Sequence, residues 1–147
     1  MRHPTFRGAL GGIVACGAWA AAEPLARRFA GTAFTDVRLL GALATGGGRG
    51  WRPVGLALHL ANGAVFGALF ARLGGRGWRA GLAAAQVENA LLWPAMALVD
   101  RVHPDRRSGA WPPLVSDRRV LAQELAMHAL FGVVLGLVVD EPDRAGA

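Results

Sequence analysis

His59-Leu60-Ala61-Asn62-Gly63-Ala64-Val65-Phe66-Gly67 and His128-Ala129-Leu130-Phe131-Gly132-Val133-Val134-Leu135-Gly136 state one pattern twice, 69 residues apart. Each is an H-x3-G-x3-G stripe inside a long apolar run. At 3.6 residues per turn the histidine and both glycines share one helical face. The repetition reads as a tandem duplication, and the apolar surroundings put it in a membrane. Of the 147 residues, 53% are apolar, 21 are glycine and only 18% are charged, against about a quarter charged in ordinary soluble domains.

The apolar residues gather into four blocks, about Gly8 to Ala22, Pro53 to Ala71, Ala80 to Val99 and Val120 to Val139. About 20 helical residues cross the ~30 Å hydrocarbon core of a bilayer. The second block has no formal charge while His59 is neutral, and it lacks the polar face that a soluble bundle helix needs. Glu23-Pro24 interrupts the first block, Gln86, Glu88 and Asn89 the third, and Gln123 and Glu124 the fourth. The expected fold is all-α: a four-span transmembrane bundle forming a single membrane domain over residues 1–147. Two helix-pair repeats are expected, about 7–74 and 77–141. Pro24 and Pro94, 70 residues apart, and Arg49 and Arg118 mark corresponding points. A repeat made of a helix pair inserts both copies in the same orientation, so His59 and His128 are expected at similar depth on helices running the same way.

Local signals set the boundaries. Pro53 suits a first helical position, and Ser116-Asp117 can cap the fourth span. Thr35-Asp36 opens a short capped helix at the membrane surface. Residues 100–117, with Pro104, Pro112 and Pro113, read as an irregular loop. Trp51, Trp78, Trp93 and Trp111 fall near the expected interfaces. Ile13-Val14-Ala15-Cys16 has the look of a lipidation signal, but the apolar run before Cys16 is short and continues past it, so the segment is assigned to the fold. The lone cysteine excludes an internal disulfide.

The net charge of +6 comes with sixteen arginines and no lysine. They flank the apolar blocks instead of forming one stripe, which argues for lipid headgroups and against nucleic acid. Ten of them lie in the two loops on one side, a slight bias placing both termini outside.

The polar residues inside the spans are the candidate site. Small-residue stripes let helix backbones approach closely where no hydrophobic force drives association. His59 and His128 need partners in hydrocarbon, and Asn62, Gln123, Glu124 or a carbonyl could supply them. Glu88, near the middle of the third block, costs on the order of 3 kcal/mol as a charge on insertion scales and is expected to face the interior, bonded to a histidine. Its counterpart in the first repeat is read as Ala18. His59, His128, Glu88, Glu124, Asn62 and Asn89 thus form an expected interior network. Glu23, with Arg27 one turn on, reads as an interfacial ion pair. No nucleophile and base pattern, phosphate loop or zinc spacing is present, so no enzymatic activity, catalytic residue or metal site is expected.

Three functions follow as expectations. The first is a non-enzymatic bundle that associates with itself or with a larger membrane partner. The second is a small proton, ion or solute transport component using Glu88, His59 and His128. The third is a redox protein with haem held between the two histidines; no cofactor is otherwise implied. The run Gly55-Leu56-Ala57-Leu58-His59 through Gly67, the run Glu88-Asn89-Ala90-Leu91-Leu92-Trp93-Pro94 and the closing His128 to Gly136 segment resemble small, uncharacterised four-helix membrane proteins of actinobacteria. That resemblance implies a multi-pass protein of the bacterial inner membrane and implies no activity.

Overall fold

The computed structural model describes residues 4–140; Arg2, Arg144 and the expected repeat end at 141 lie outside the described residues. Among the described residues the chain is helical and contains no strand. Helix α1 spans Pro4–Ala30, α2 Asp36–Thr45, α3 Trp51–Arg72, α4 Gly77–Leu92, α5 Met96–Val102, α6 Pro104–Arg107 and α7 Arg118–Asp140. A 3-10 turn, Trp93–Ala95, joins α4 to α5. Among the described residues four stretches are long and apolar enough to cross a membrane: α1, α3, α4 through α5, and α7. Their outward faces carry Phe29, Val65, Leu91 and Leu98, all more than half exposed, as lipid-facing surfaces do.

The two prolines act differently. Pro24 lies inside an unbroken α1, so Glu23-Pro24 does not end the first helix as its apolar block does. Pro94 sits in the 3-10 turn, where the tighter winding accommodates the missing N–H. Pro53 is the third residue of α3, not the first; Trp51 leads. Asp117 caps α7, its Oδ1 accepting from the Arg119 N–H at 2.8 Å. Helix α2 begins as expected, with the Thr35 side chain accepting from the Arg38 N–H, and stops at left-handed Gly46.

Packing is decided by glycine. A Cβ on Gly12 would stand 1.7 Å from the Gly63 carbonyl oxygen, and one on Gly8 2.1 Å from that of Gly67. Antiparallel α1 and α3 therefore touch backbone to backbone. The same contacts recur between α4 and α7, where Gly81 meets Gly132 and Gly136 meets Gly77. Every member of the second set stands 69 residues beyond its counterpart in the first. Helix α7 also packs on α1, through Leu135 and Val139 against Gly11. The order in space is thus α3, α1, α7, α4, with α3 and α7 running the same way.

Helices α3 and α4 are joined by four residues, yet each is drawn to a different neighbour, and they diverge. Their wedge is partly filled at its wide end by α2, which seats on α3 where Gly41 meets Trp51 and Gly55 meets Val37. A second apolar cluster of Phe34, Leu39, Trp111, Leu114 and Val120 closes that end.

The 100–117 segment is ordered by specific bonds instead of being an irregular loop. Asp100 accepts from Arg106 Nε at 2.7 Å and from the Leu114 N–H at 2.8 Å. Buried His103 stacks on Trp111, with ring centroids 4.3 Å apart, and its Nδ1 accepts from the Asp105 N–H. Arg38 donates two bonds to Asp105, through Nε and Nη2, and this holds the Asp105 carboxyl below its usual value. Burial lowers the His103 pKa, which keeps the ring neutral.

Gly12→Ala should cost about 1–3 kcal/mol, the range for overpacking, because backbone and not a flexible side chain must retreat. Thermal unfolding in detergent would measure it, with Gly17→Ala as the neutral control since nothing lies within 4 Å of Gly17. Equal melting of the two variants would contradict the packing described. Acid should loosen the 100–117 segment. A depressed histidine contributes fully above its unfolded pKa of about 6.5 and progressively less as pH falls below it, whereas the Asp105 contribution persists to below about pH 4. Trp111 fluorescence should therefore report loosening as pH falls below about 6.5, and His103→Gln should abolish that dependence.

Candidate functional site

The wide part of the wedge holds a cavity of about 170 Å3. Helix α1 supplies Cys16 and Trp19, α2 Asp36, α3 His59 and Asn62, α4 Glu88 and Asn89, and α7 Glu124 and His128. All six polar residues singled out in the sequence line this one space.

Their bonds differ from expectation. No hydrogen bond joins Glu88 to either histidine among the described residues; half-buried Glu88 faces the cavity instead. His128 Nδ1 lies 2.8 Å from the carbonyl of Glu124, one turn earlier, and 3.9 Å from that residue's Oε2. With that nitrogen carrying the proton toward the carbonyl, Nε2 is left as an acceptor. His59 is 5% exposed and its Nε2 has no partner. Its carbonyl accepts from the thiol of buried Cys16 at 3.2 Å, which fixes Cys16 inside the α1–α3 contact.

Trp19 organises both imidazoles. Its indole meets His59 edge to face at 5.4 Å and His128 at 4.8 Å between centroids. One aromatic ring thus packs against both histidines. Haem held between the two rings does not fit this arrangement, because Trp19 occupies the space beside both. The cavity is also smaller than the ~300–1,000 Å3 of sites for drug-sized ligands. No three His, Cys, Asp or Glu side chains among the described residues are grouped to hold a metal ion.

The carboxyls form the core of the site. Glu124 is 1% exposed and its Oε1 has no hydrogen-bond partner. Asp36 reaches it from the first turn of α2, and the two carboxyls lie within hydrogen-bonding reach of each other. Asp36 Oδ2 is equally without a donor. Burial, with the Glu23 carboxyl nearby, pushes the Asp36 pKa up to about 7. Glu23 is itself buried, accepting from the Asp36 N–H at 2.8 Å, so it is not the exposed interfacial residue expected, although the Arg27 charge still acts on it. Two adjacent acceptor groups with no donor between them call for a shared proton or a cation.

Sequence reasoning missed Asp36 and Trp19. Thr35-Asp36 reads fully as a helix start, which hides a carboxylate turned inward. Trp19 looks like one more apolar residue of a span. Its signal lies in the 69-residue offset, which sets Trp19 opposite Glu88.

Comparison with protein-family models, with curated proteins and with solved structures found no match.

An infrared titration should show a protonated-carboxyl band that declines with a midpoint near pH 7 and weakens in Asp36→Asn. A band unchanged by that substitution would remove Asp36 from the pair.

Proposed function

We propose that this chain is a non-enzymatic, multi-pass protein of the bacterial cytoplasmic membrane whose working part is the polar cavity, taking up and releasing protons or cations as a small transport component. The observation that carries this reading is the pair of unpartnered carboxyl oxygens, Glu124 Oε1 and Asp36 Oδ2, lining a cavity between apolar spans. An uncompensated carboxylate in such surroundings is expensive, and ionisable groups inside membranes mark ion and proton paths. His59, His128 and Glu88 extend the protonatable surface along the same wall.

Self-association loses its motivating observation. The small-residue stripes are consumed within the chain, where Gly8, Gly12, Gly63, Gly67, Gly77, Gly81, Gly132 and Gly136 all meet backbone of the neighbouring helix. The recurrence of those contacts at a fixed 69-residue offset supports duplication of a helix pair. In that register Trp19, and not Ala18, is the counterpart of Glu88. The two halves then diverged at one cavity position, an indole in one and a carboxyl in the other. Assignment to the bacterial inner membrane rests on the four apolar spans and the actinobacterial resemblance.

Reconstituted in vesicles with a pH-sensitive dye inside, the chain should dissipate an imposed proton or monovalent-cation gradient. Glu124→Gln should slow this at least about tenfold, the kinetic equivalent of about 1.4 kcal/mol. Unchanged melting of the variant would separate this effect from misfolding. Vesicles that stay tight with the unaltered chain, or leak equally after Glu124→Gln, Glu88→Gln and both His→Ala changes, would overturn the proposal.

A further inference from the structure

The cavity adjoins a second space. Phe66, Glu88 and Leu92 belong both to its wall and to a second recess of about 660 Å3 between α3 and α4. Apart from Glu88 that recess is lined only by apolar residues and a glycine. Leu69, Leu73, Val87 and Leu91 on its flanks are each more than half exposed, so it opens sideways, at the height where lipid chains would lie. The volume falls within the ~300–1,000 Å3 range of ligand sites. A polar chamber and an apolar recess thus share one wall, with Glu88 on it.

We propose that the joined chamber and recess bind one amphiphilic organic cation, its ammonium head among Asp36, Glu88 and Glu124 and its apolar chain between α3 and α4, admitted laterally from the bilayer. This rests on the cation-binding reading of the cavity and adds the chemical class of the occupant. Charge complementarity selects the head. Three carboxyls line the chamber and no arginine does. A phosphate head, as on a phospholipid, would meet like charge with no cation to pair with. Of the unpartnered atoms of the wall, Glu124 Oε1, Asp36 Oδ2 and His59 Nε2 are or can act as acceptors, against one donor, the indole Nε1 of Trp19. A primary ammonium carries three donors and no acceptor, the converse set. Its arrival displaces the proton shared by Asp36 and Glu124, so one positive charge enters as one leaves. The tail is selected by the recess, whose apolar lining has no other chain packed against it among the described residues.

The test uses the full chain in lipid nanodiscs, titrated calorimetrically against empty discs with dodecylammonium, dodecanol and methylammonium. Dodecylammonium should bind saturably with proton release, at least about tenfold tighter than either comparator. Glu124→Gln should weaken it at least about tenfold. Val87→Trp, at an exposed position on the recess wall, should weaken dodecylammonium while leaving methylammonium unchanged. Dodecanol binding as well as dodecylammonium, or an affinity indifferent to Val87→Trp, overturns the proposal. Methylammonium binding with proton release but no gain from the twelve-carbon chain also overturns it and leaves the cation cavity standing. A folded chain that binds neither cation defeats both readings.

Discussion

The structure depends on how closely two helix backbones can approach when both lack a Cβ at the crossing. Within a bilayer the apolar effect does not favour helix against helix over helix against lipid, so contact must come from packing and from polar bonds. Gly12 against Gly63 and Gly81 against Gly132 supply that contact and commit α3 to α1 and α4 to α7. With those pairings made, α3 and α4 make their main contacts with different neighbours and leave a space between them. The wedge between α3 and α4 is a geometric result of where the glycines are, and the cavity is the part of the wedge that α2 does not fill.

That origin explains why ionisable residues are tolerated there. A carboxyl on the outer face of a span would face lipid with no compensation. In the wedge Glu124 has Asp36 for a neighbour and His128 one turn along its own helix. The remaining deficit along the cavity wall is specific: two carboxyl oxygens, one imidazole nitrogen and the Trp19 indole nitrogen have no partner.

Much of this was legible in the sequence, for identifiable reasons. The number of apolar spans and the shared direction of the histidine helices follow from apolar block length and from the 69-residue spacing of the two histidine stripes, which are properties of the chain alone. The six polar residues line one cavity, with His59, Asn89 and Glu124 buried, as polar groups in apolar spans are expected to turn toward the interior, although Asn62 stays exposed. The remainder depended on contacts that no local pattern encodes. Pro24 and Pro94 look equivalent in sequence, but one rides inside a helix and the other sits in a 3-10 turn. Glu23 has Arg27 at helical spacing, yet a backbone N–H from a later helix takes it inward. The 100–117 segment has the composition of a loop, and its order comes from Asp100, His103 and Arg38 meeting partners distant in sequence.

The Arg38–Asp105 bridge has a mechanical meaning. Arg38 belongs to the helix seated on α3, and Asp105 to the segment that continues α4 beyond Val102. At the opposite end the same two spans are tied by the turn of residues 73–76. The divergent helices are therefore hinged at one end by covalent chain and clasped at the other by a partly buried ion pair. The separation of α3 and α4 is bounded from both ends: their spread cannot grow without loading the clasp, nor shrink without expelling α2.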